Sequence, residues 1–179
     1  TKIITKDTKP EPVNFYGDSK LQAEIKLSPL QDDSFNLVII RPPMIYGKGS
    51  KGNYPMLSKL AKKLPVFPKI NNQRSMLYVE NLCEFVRLMI SNNAQGIYYP
   101  QNSEYTSTTT IVKTINPGIR ISGILNIGVF IGSKVPGKIS VLCNKAFGNL
   151  VYEKSMSQYS ENYCRYNLRE SIEKTEVSS

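Results

Sequence analysis

Apolar residues in this chain come in short bursts whose spacing alternates between helical and extended. From Phe15 to Leu27, Leu21, Ala23 and Leu27 are set among Lys20 and Glu24, which predicts a helix that stops before Pro29. Asn36-Leu-Val-Ile-Ile40 is a nearly continuous apolar run, the pattern of a central strand buried on both faces of a parallel sheet. Arg41-Pro42-Pro43 ends it, because proline cannot donate to a ladder. A loop rich in Gly and Lys over Tyr46 to Asn53 follows, then a basic helix over Met56 to Lys63 and an extended stretch at Val66-Phe67. Ser75 to Val79 reads as extended. Val79, Leu82, Phe85, Val86, Met89 and Ile90 mark one face of a helix ending near Asn92-Asn93. Ile97-Tyr98-Tyr99 is a short strand. Ser107 or Thr108 caps a brief helix through Ile115, stopped by Pro117-Gly118.

Beyond that point the pattern is less regular. It predicts a strand over Ile119 to Ile121, helices over 123–132 and 138–147, and a final helix from Leu168 to Glu176. Strand and helix alternate through the first hundred residues, so the expected class is α/β. Residues 101–179 are expected to cap the ligand side of the sheet.

With 179 residues and 40% apolar content the chain can build one domain with a core. No stretch reaches the roughly 18 to 20 apolar residues of a membrane span; the longest, Ile119 to Ile131, is broken by Ser122, Gly123, Asn126 and Gly128. No basic-plus-apolar segment opens the chain, so the cytoplasm is the expected compartment. Cys83, Cys143 and Cys164 are odd in number and widely spaced, and read as reduced, mostly packed thiols, neither a disulfide framework nor a metal site. Histidine is absent, which excludes Ser-His-Asp and Cys-His catalysis and most zinc chemistry. The net charge of +9 favours an anionic partner, whether nucleic acid, an acidic membrane or a phosphorylated metabolite, and the scattered basic residues argue against nucleic acid.

Acid–base work therefore falls to Tyr, Lys, Asp or Glu. Tyr16-Gly-Asp-Ser-Lys20 places a phenol and an ammonium four residues apart on one helical face. A free phenol, with a pKa near ~10, is a poor base at neutral pH. A fixed ammonium beside a phenol favours the phenolate, which can then take a proton from a hydroxyl. By itself a Tyr-x-x-x-Lys spacing is common, and both residues would usually be plain surface residues.

The surrounding blocks make it specific. Asn14-Phe-Tyr-Gly-Asp-Ser-Lys-Leu-Gln-Ala-Glu24, then Asn36-Leu-Val-Ile-Ile-Arg-Pro-Pro-Met-Ile-Tyr-Gly47, then Arg74-Ser-Met-Leu-Tyr-Val-Glu-Asn-Leu82 resemble, in order, three regions of extended short-chain dehydrogenases/reductases, the NAD-dependent epimerase/dehydratase family. The likeness covers residues 10 to 100 well and the rest loosely. It is strongest to UDP-glucose 4-epimerase-like proteins and to related 4-ketoreductases of surface-polysaccharide pathways.

The resemblance implies the C-terminal part of a doubly wound Rossmann-type parallel sheet with a small, mixed α/β substrate-binding cap. It divides the chain into a dinucleotide-side part over 1–100, with substrate-binding segments interleaved, and a cap over 101–179. The implied activity is NAD-dependent 4-epimerisation of a nucleotide sugar, with NADP as the alternative cofactor. A 4-ketoreductase or dehydratase, or a non-catalytic nucleotide-sugar or partner-binding module, are the competing readings. The implied partners are a UDP-sugar substrate and a second copy of the full-length enzyme.

Carried over residue by residue, Tyr16 is the acid/base, and Lys20 modulates it and holds the cofactor's ribose. Pro42 and Pro43 flank the nicotinamide. Arg74 takes the substrate pyrophosphate, with a surface ion pair as the plain alternative. Asn53 contacts substrate or caps a helix ahead of Pro55. Met44 stands where several sugar epimerases carry a substrate-contacting asparagine, which leaves the sugar and the reaction open. Tyr98-Tyr99 and Cys83 are left structural, as are Lys145, Lys154 and Arg165, which could meet the diphosphate from the C-terminal cap although nothing in their spacing demands it. The family's Gly-x-x-Gly-x-x-Gly turn is not among these residues, nor is the Ser or Thr that precedes the tyrosine. The chain opens on Thr1 and a polar, Pro-containing segment, so by analogy about 110 to 130 preceding residues are expected, and tight NAD binding by this segment alone is not.

Overall fold

The structure, a computed structural model, describes residues 3–126 and 147–177. Among them, eight short strands pair two by two, every pair parallel. β1 (Ile3–Ile4) lies beside β8 (Val151–Tyr152), β2 (Val38–Ile40) beside β6 (Gly96–Tyr98), β3 (Met44–Tyr46) beside β5 (Met76–Tyr78), and β4 (Val66–Pro68) beside β7 (Arg120–Ser122). The helices are α1 (Phe15–Leu27), α2 (Asn53–Lys63), α3 (Val79–Ser91), α4 (Thr108–Ile115) and α5 (Leu168–Glu176). Parallel pairs need crossovers, and the intervening helices supply them. The α/β expectation is met. Of the expected helices over 123–132 and 138–147, residues 127–132 and 138–146 lie outside the described residues.

Helix ends follow from local chemistry. Asn14 Oδ1 accepts the Gly17 N–H at 2.8 Å and starts α1. Ser107 Oγ accepts the Thr110 N–H at 3.0 Å and starts α4, which settles the choice between Ser107 and Thr108. Asn167 and Glu170 form a reciprocal capping box on α5. Helix α2 begins three residues earlier than expected because Pro55 falls in its first turn, where no N–H is needed.

The core has three clusters. Tyr46, Tyr54, Met76, Tyr78, Ile111 and Ile172 join β3, β5, α2, α4 and α5. Ala61, Phe67, Ile70, Val112 and Ile119 pack beneath β4. Leu77, Phe85, Leu88, Met89 and Tyr163 anchor α3. The buried face of α3 is thus Asn81, Phe85, Leu88 and Met89, rotated from the predicted one, and Ile90 is exposed. At Gly47 the chain leaves β3 with φ +156° and passes so near α3 that a Cβ would sit 2.3 Å from Val79 Cγ1. Only glycine fits there.

Two expectations are corrected. The β2 strand is half-buried rather than central and fully covered, because its one strand partner among the described residues is β6 and α1 above it buries no residue. Cys83 is exposed, not packed, since it sits on the solvent side of α3; Cys164 is half-buried, and both are free thiols.

Two adjacent buried amides tie the clusters. Asn102 Oδ1 accepts from Tyr78 N (3.0 Å) and Asn81 Nδ2 (3.1 Å), and its Nδ2 donates to Tyr46 Oη (3.0 Å). Gln101 Oε1 accepts from Ser75 Oγ at 2.6 Å, and Gln101 Nε2 reaches Ser157 Oγ at 2.7 Å. Replacing Asn102 with Leu removes three hydrogen bonds and strands the buried Tyr78 N–H, while Asn81 and Tyr46 keep Tyr166 O and Ser171 Oγ, and should cost about 2–4 kcal/mol; Ser107→Ala, which removes a cap, should cost about 1 kcal/mol. Urea denaturation midpoints of the two variants check the ranking.

Candidate functional site

Helix α1 presents Tyr16, Lys20 and Glu24 on one face, successive turns apart. That face lines a groove of about 1010 Å³ whose opposite wall is the end of β2 and the turn into β3, Pro42 and Pro43 included; Asn53 and Tyr152 also border it. Five of the six sequence-predicted site residues thus share one cavity. Lys20 Nζ lies 5.4 Å from the centre of the Tyr16 ring. Tyr16 is 72% exposed, so its phenol is open to a ligand in the groove. Pro42 is half-buried and Pro43 buried.

Arg74, the sixth, faces a neighbouring small cavity lined by apolar side chains, among them Ile111 and Phe147. Met44 and Asn53 line both spaces and join them. The Arg74 backbone is held by Thr106 on one side (N–H to O 2.8 Å, and 3.0 Å in return), while Leu150 bridges beside it. Burial pushes the guanidinium below its ordinary value. Asn53 is the first residue of α2 and does not cap it; the cap position is Gly52, at φ +118° with no side-chain bond. The amide of Asn53 is exposed at the junction of the two cavities. Lys154 and Arg165 turn elsewhere: Lys154 Nζ donates to Asn102 O at 2.8 Å, and Arg165 pairs with Glu84.

Two positions at this site, Arg41 and Tyr152, were not assigned from the sequence, nor was Glu176, which supports α2 from outside it. Arg41 forms a forked ion pair with Glu24, Nε donating to the carboxylate at 3.0 and 3.2 Å, and its Nη1 donates to Tyr99 Oη at 3.2 Å. The signal available was Glu24 lying two turns from Tyr16 on the same face. Tyr152 Oη donates to Pro42 O at 3.4 Å, and burial pushes its phenol up. No local pattern marks that contact across so long a stretch of chain. Glu176 clamps α2 from α5: Tyr54 Oη, Ser58 Oγ and Lys62 Nζ reach its carboxylate at 2.9, 2.8 and 2.6 Å.

Chemically, the groove offers a phenol and an ammonium on one wall and backbone with no N–H at two consecutive prolines on the other. A guanidinium stands in the next cavity. That set can exchange a proton with a hydroxyl and hold an anion nearby. Among the described residues there is no group of three or more His, Cys, Asp or Glu side chains placed to hold a metal, and no helix long and apolar enough to cross a membrane.

Residues 1–99 match the model of the NAD dependent epimerase/dehydratase family. The chain is 33% identical over 110 residues to UDP-glucose 4-epimerase of Vibrio cholerae, covering 58% of this chain and 34% of that protein. It therefore spans about a third of the length of this curated relative. The solved UDP-N-acetylglucosamine 4-epimerase from Bacillus cereus superposes with a TM-score of 0.61 at 16% identity, over 98% of this chain and 58% of that one. The dTDP-glucose 4,6-dehydratase from Bacillus anthracis, solved in complex with NAD, gives 0.59 at 16% identity, over 98% and 55%. At such identities the likeness is one of fold, and it is the Rossmann-type α/β fold.

The Glu176 clamp has a pH signature. Burial alone raises this carboxyl, but the contacts from Lys62, Ser58 and Tyr54 together outweigh it, and the net direction is below the ordinary 4.5. A depressed folded-state value means the contribution is complete above that ordinary value and is lost as pH falls below it. Melting curves between pH 7 and pH 3 should show the wild type losing more of its Tm on acidification than Glu176→Gln does.

Proposed function

The chain belongs to the NAD-dependent epimerase/dehydratase family, and from that premise we propose that it supplies the catalytic tyrosine helix and the substrate side of an NAD-dependent nucleotide-sugar 4-epimerase. The observation that carries this reading is the convergence of Tyr16, Lys20, Pro42, Pro43 and Asn53 on one groove, with Arg74 in the cavity that opens from it. The groove fits the nicotinamide–ribose end of the cofactor. Tyr16 and Lys20 offer hydroxyl partners at its α1 wall, and the Pro42-Pro43 backbone gives a surface without N–H donors for a flat ring. These residues do not include the family's dinucleotide-phosphate turn, and the proposal extends only to the nicotinamide–ribose end of the cofactor.

When bound, the cofactor supplies a hydride acceptor and donor. The residues of this chain handle the proton and the substrate. Tyr16 takes the proton of the sugar C4 hydroxyl and later returns one. Lys20 keeps a positive charge beside the phenol and holds ribose hydroxyls. Arg74 receives the substrate diphosphate through its forked donors, in a half-buried setting where an anion is a strong partner. Asn53 contacts the sugar at the junction. Residues 1–100 then carry the dinucleotide side and 101–179 the cap, a homodimer is the expected assembly, and the free thiols Cys83 and Cys164 fit a reducing cytoplasm.

A second reading, 4-ketoreductase or dehydratase, is favoured by Met44. Its thioether borders both cavities where a polar amide would otherwise touch the sugar. Both chemistries use the same tyrosine, and they differ in whether the cofactor stays bound while the keto sugar turns over.

In the full-length protein, Tyr16→Phe should lower turnover by about 10²–10⁴-fold while UDP-sugar affinity stays within about twofold. Arg74→Ala should do the reverse, weakening UDP binding by about 10–100-fold. Product analysis with UDP-glucose, UDP-N-acetylglucosamine and a 4-keto sugar separates epimerase from reductase. Unchanged turnover in Tyr16→Phe would sink the assignment.

A further inference from the structure

Helix α1 carries the proposed acid/base, yet none of its residues is buried. Tyr16 and Phe15 are 72% and 88% exposed, and Ile25 and Leu27 are exposed as well. Among the described residues, apolar packing does not fix where this helix sits along the groove. Its best-defined contact with the opposite wall is made by Glu24, two turns beyond Tyr16. The carboxylate takes a forked set of donors from Arg41 Nε and Nη2.

Arg41 is itself restrained from three directions. Its backbone N–H donates to Tyr98 O at 2.9 Å, its Nη1 donates to Tyr99 Oη at 3.2 Å, and its guanidinium carbon lies 5.9 Å from the centre of the Tyr99 ring. It is also the last residue before Pro42-Pro43, the opposite wall of the groove. Two planar groups joined by parallel hydrogen bonds fix distance and angle together, which a single lysine contact does not.

We infer that the Glu24–Arg41 pair is a positioning device: it sets the register of α1 against the strand end, and so places Tyr16 and Lys20 relative to whatever lies over Pro42 and Pro43. This deepens the reading of Tyr16 as acid/base and rests on it. Glu24 and Arg41 stand in the wall of the same groove, and their part is to hold the helix rather than to exchange a proton. Substrate affinity depends on Arg74 and Asn53 on other elements, so loss of the pair falls on kcat rather than on KM.

The test is a double-mutant cycle in the full-length protein, with Glu24→Gln, Arg41→Gln and both together, each checked by thermal melting. A misplacement of about 1 Å costs on the order of 100-fold, so each folded single variant should lose about 10- to 100-fold in kcat with KM for the UDP-sugar within about twofold. The double variant should be no worse than the poorer single, because the two residues act as one unit. Arg41→Lys, which keeps the charge without the fork, should recover only part of the loss. Should a single variant not fold, the swapped pair Glu24→Arg with Arg41→Glu carries the test, and recovery of kcat is the expected result. Unchanged kcat in folded singles, no recovery in a folded swapped pair, or losses that multiply in the double variant would overturn the inference. If Tyr16→Phe abolishes turnover while the pair variants retain it, the pair alone fails. If Tyr16→Phe keeps turnover, the underlying reading fails first.

Discussion

The buried amides of Gln101 and Asn102 are the contact on which the rest of the structure depends. They follow β6 after Tyr99 and Pro100, and each spends its hydrogen bonds on a different part of the chain. Asn102 faces inward to the Tyr78 backbone, Asn81 and Tyr46, which joins β5, α3 and β3. Gln101 faces Ser75 and the backbone of Tyr152 and Glu153, and its own backbone N–H meets Tyr163 Oη at 3.1 Å. Buried amides this well satisfied specify one arrangement, because any slip leaves several polar groups unpaired in a low-dielectric interior. The functional consequence is direct. Tyr152, placed through this junction, reaches across to Pro42 O and borders the groove.

Each wall of the groove is therefore fixed by a different kind of interaction. The Pro42-Pro43 wall continues from β2, which is laddered to β6, and so inherits the rigidity of the amide junction. The Asn53 corner is the start of α2, which three contacts to Glu176 hold to α5 on the side away from the ligand. Among the described residues the tyrosine helix has neither kind of support, and its best-defined tie to the groove's other wall is an ion pair.

Much of this was legible in the residues, and the gaps have physical causes. The bounds of α1 and α5 were read closely because Pro29, Asn167 and the polar flanks act locally, as caps and breakers do. The α4 cap was equally local. The β3 strand was missed because it follows two prolines and runs into Gly47, which reads as loop. The pairing of β1 with β8 was missed because two-residue strands carry no periodicity. The burial of β2 was overestimated for the opposite reason. A run of apolar residues reports what the strand is suited to, not what covers it among the residues present. At the site, the spacing of Tyr16 and Lys20 and the family resemblance for Pro42, Pro43 and Asn53 singled out residues that line one groove. Long-range partners such as Tyr152 and Glu176 have no local signature, and only the fold brings them in.

Magnitude decides what the Glu24–Arg41 pair is for. Its side chains are 21% and 23% exposed, between the surface case, where an ion pair contributes at most about 1 kcal/mol, and full burial, where desolvation offsets most of the attraction. On either account its net stabilisation is small compared with the three core clusters. Its direction is a different matter. A forked guanidinium–carboxylate contact is short-ranged and angular, and sliding α1 by a fraction of a turn breaks both of its bonds. Energy and geometry thus separate: among the described residues the core clusters stabilise the fold without reaching α1, and the weak pair ties α1 to the strand end. A proton-transferring phenol needs placement within a few tenths of an ångström far more than it needs a stable neighbourhood. That is the division of labour these residues show.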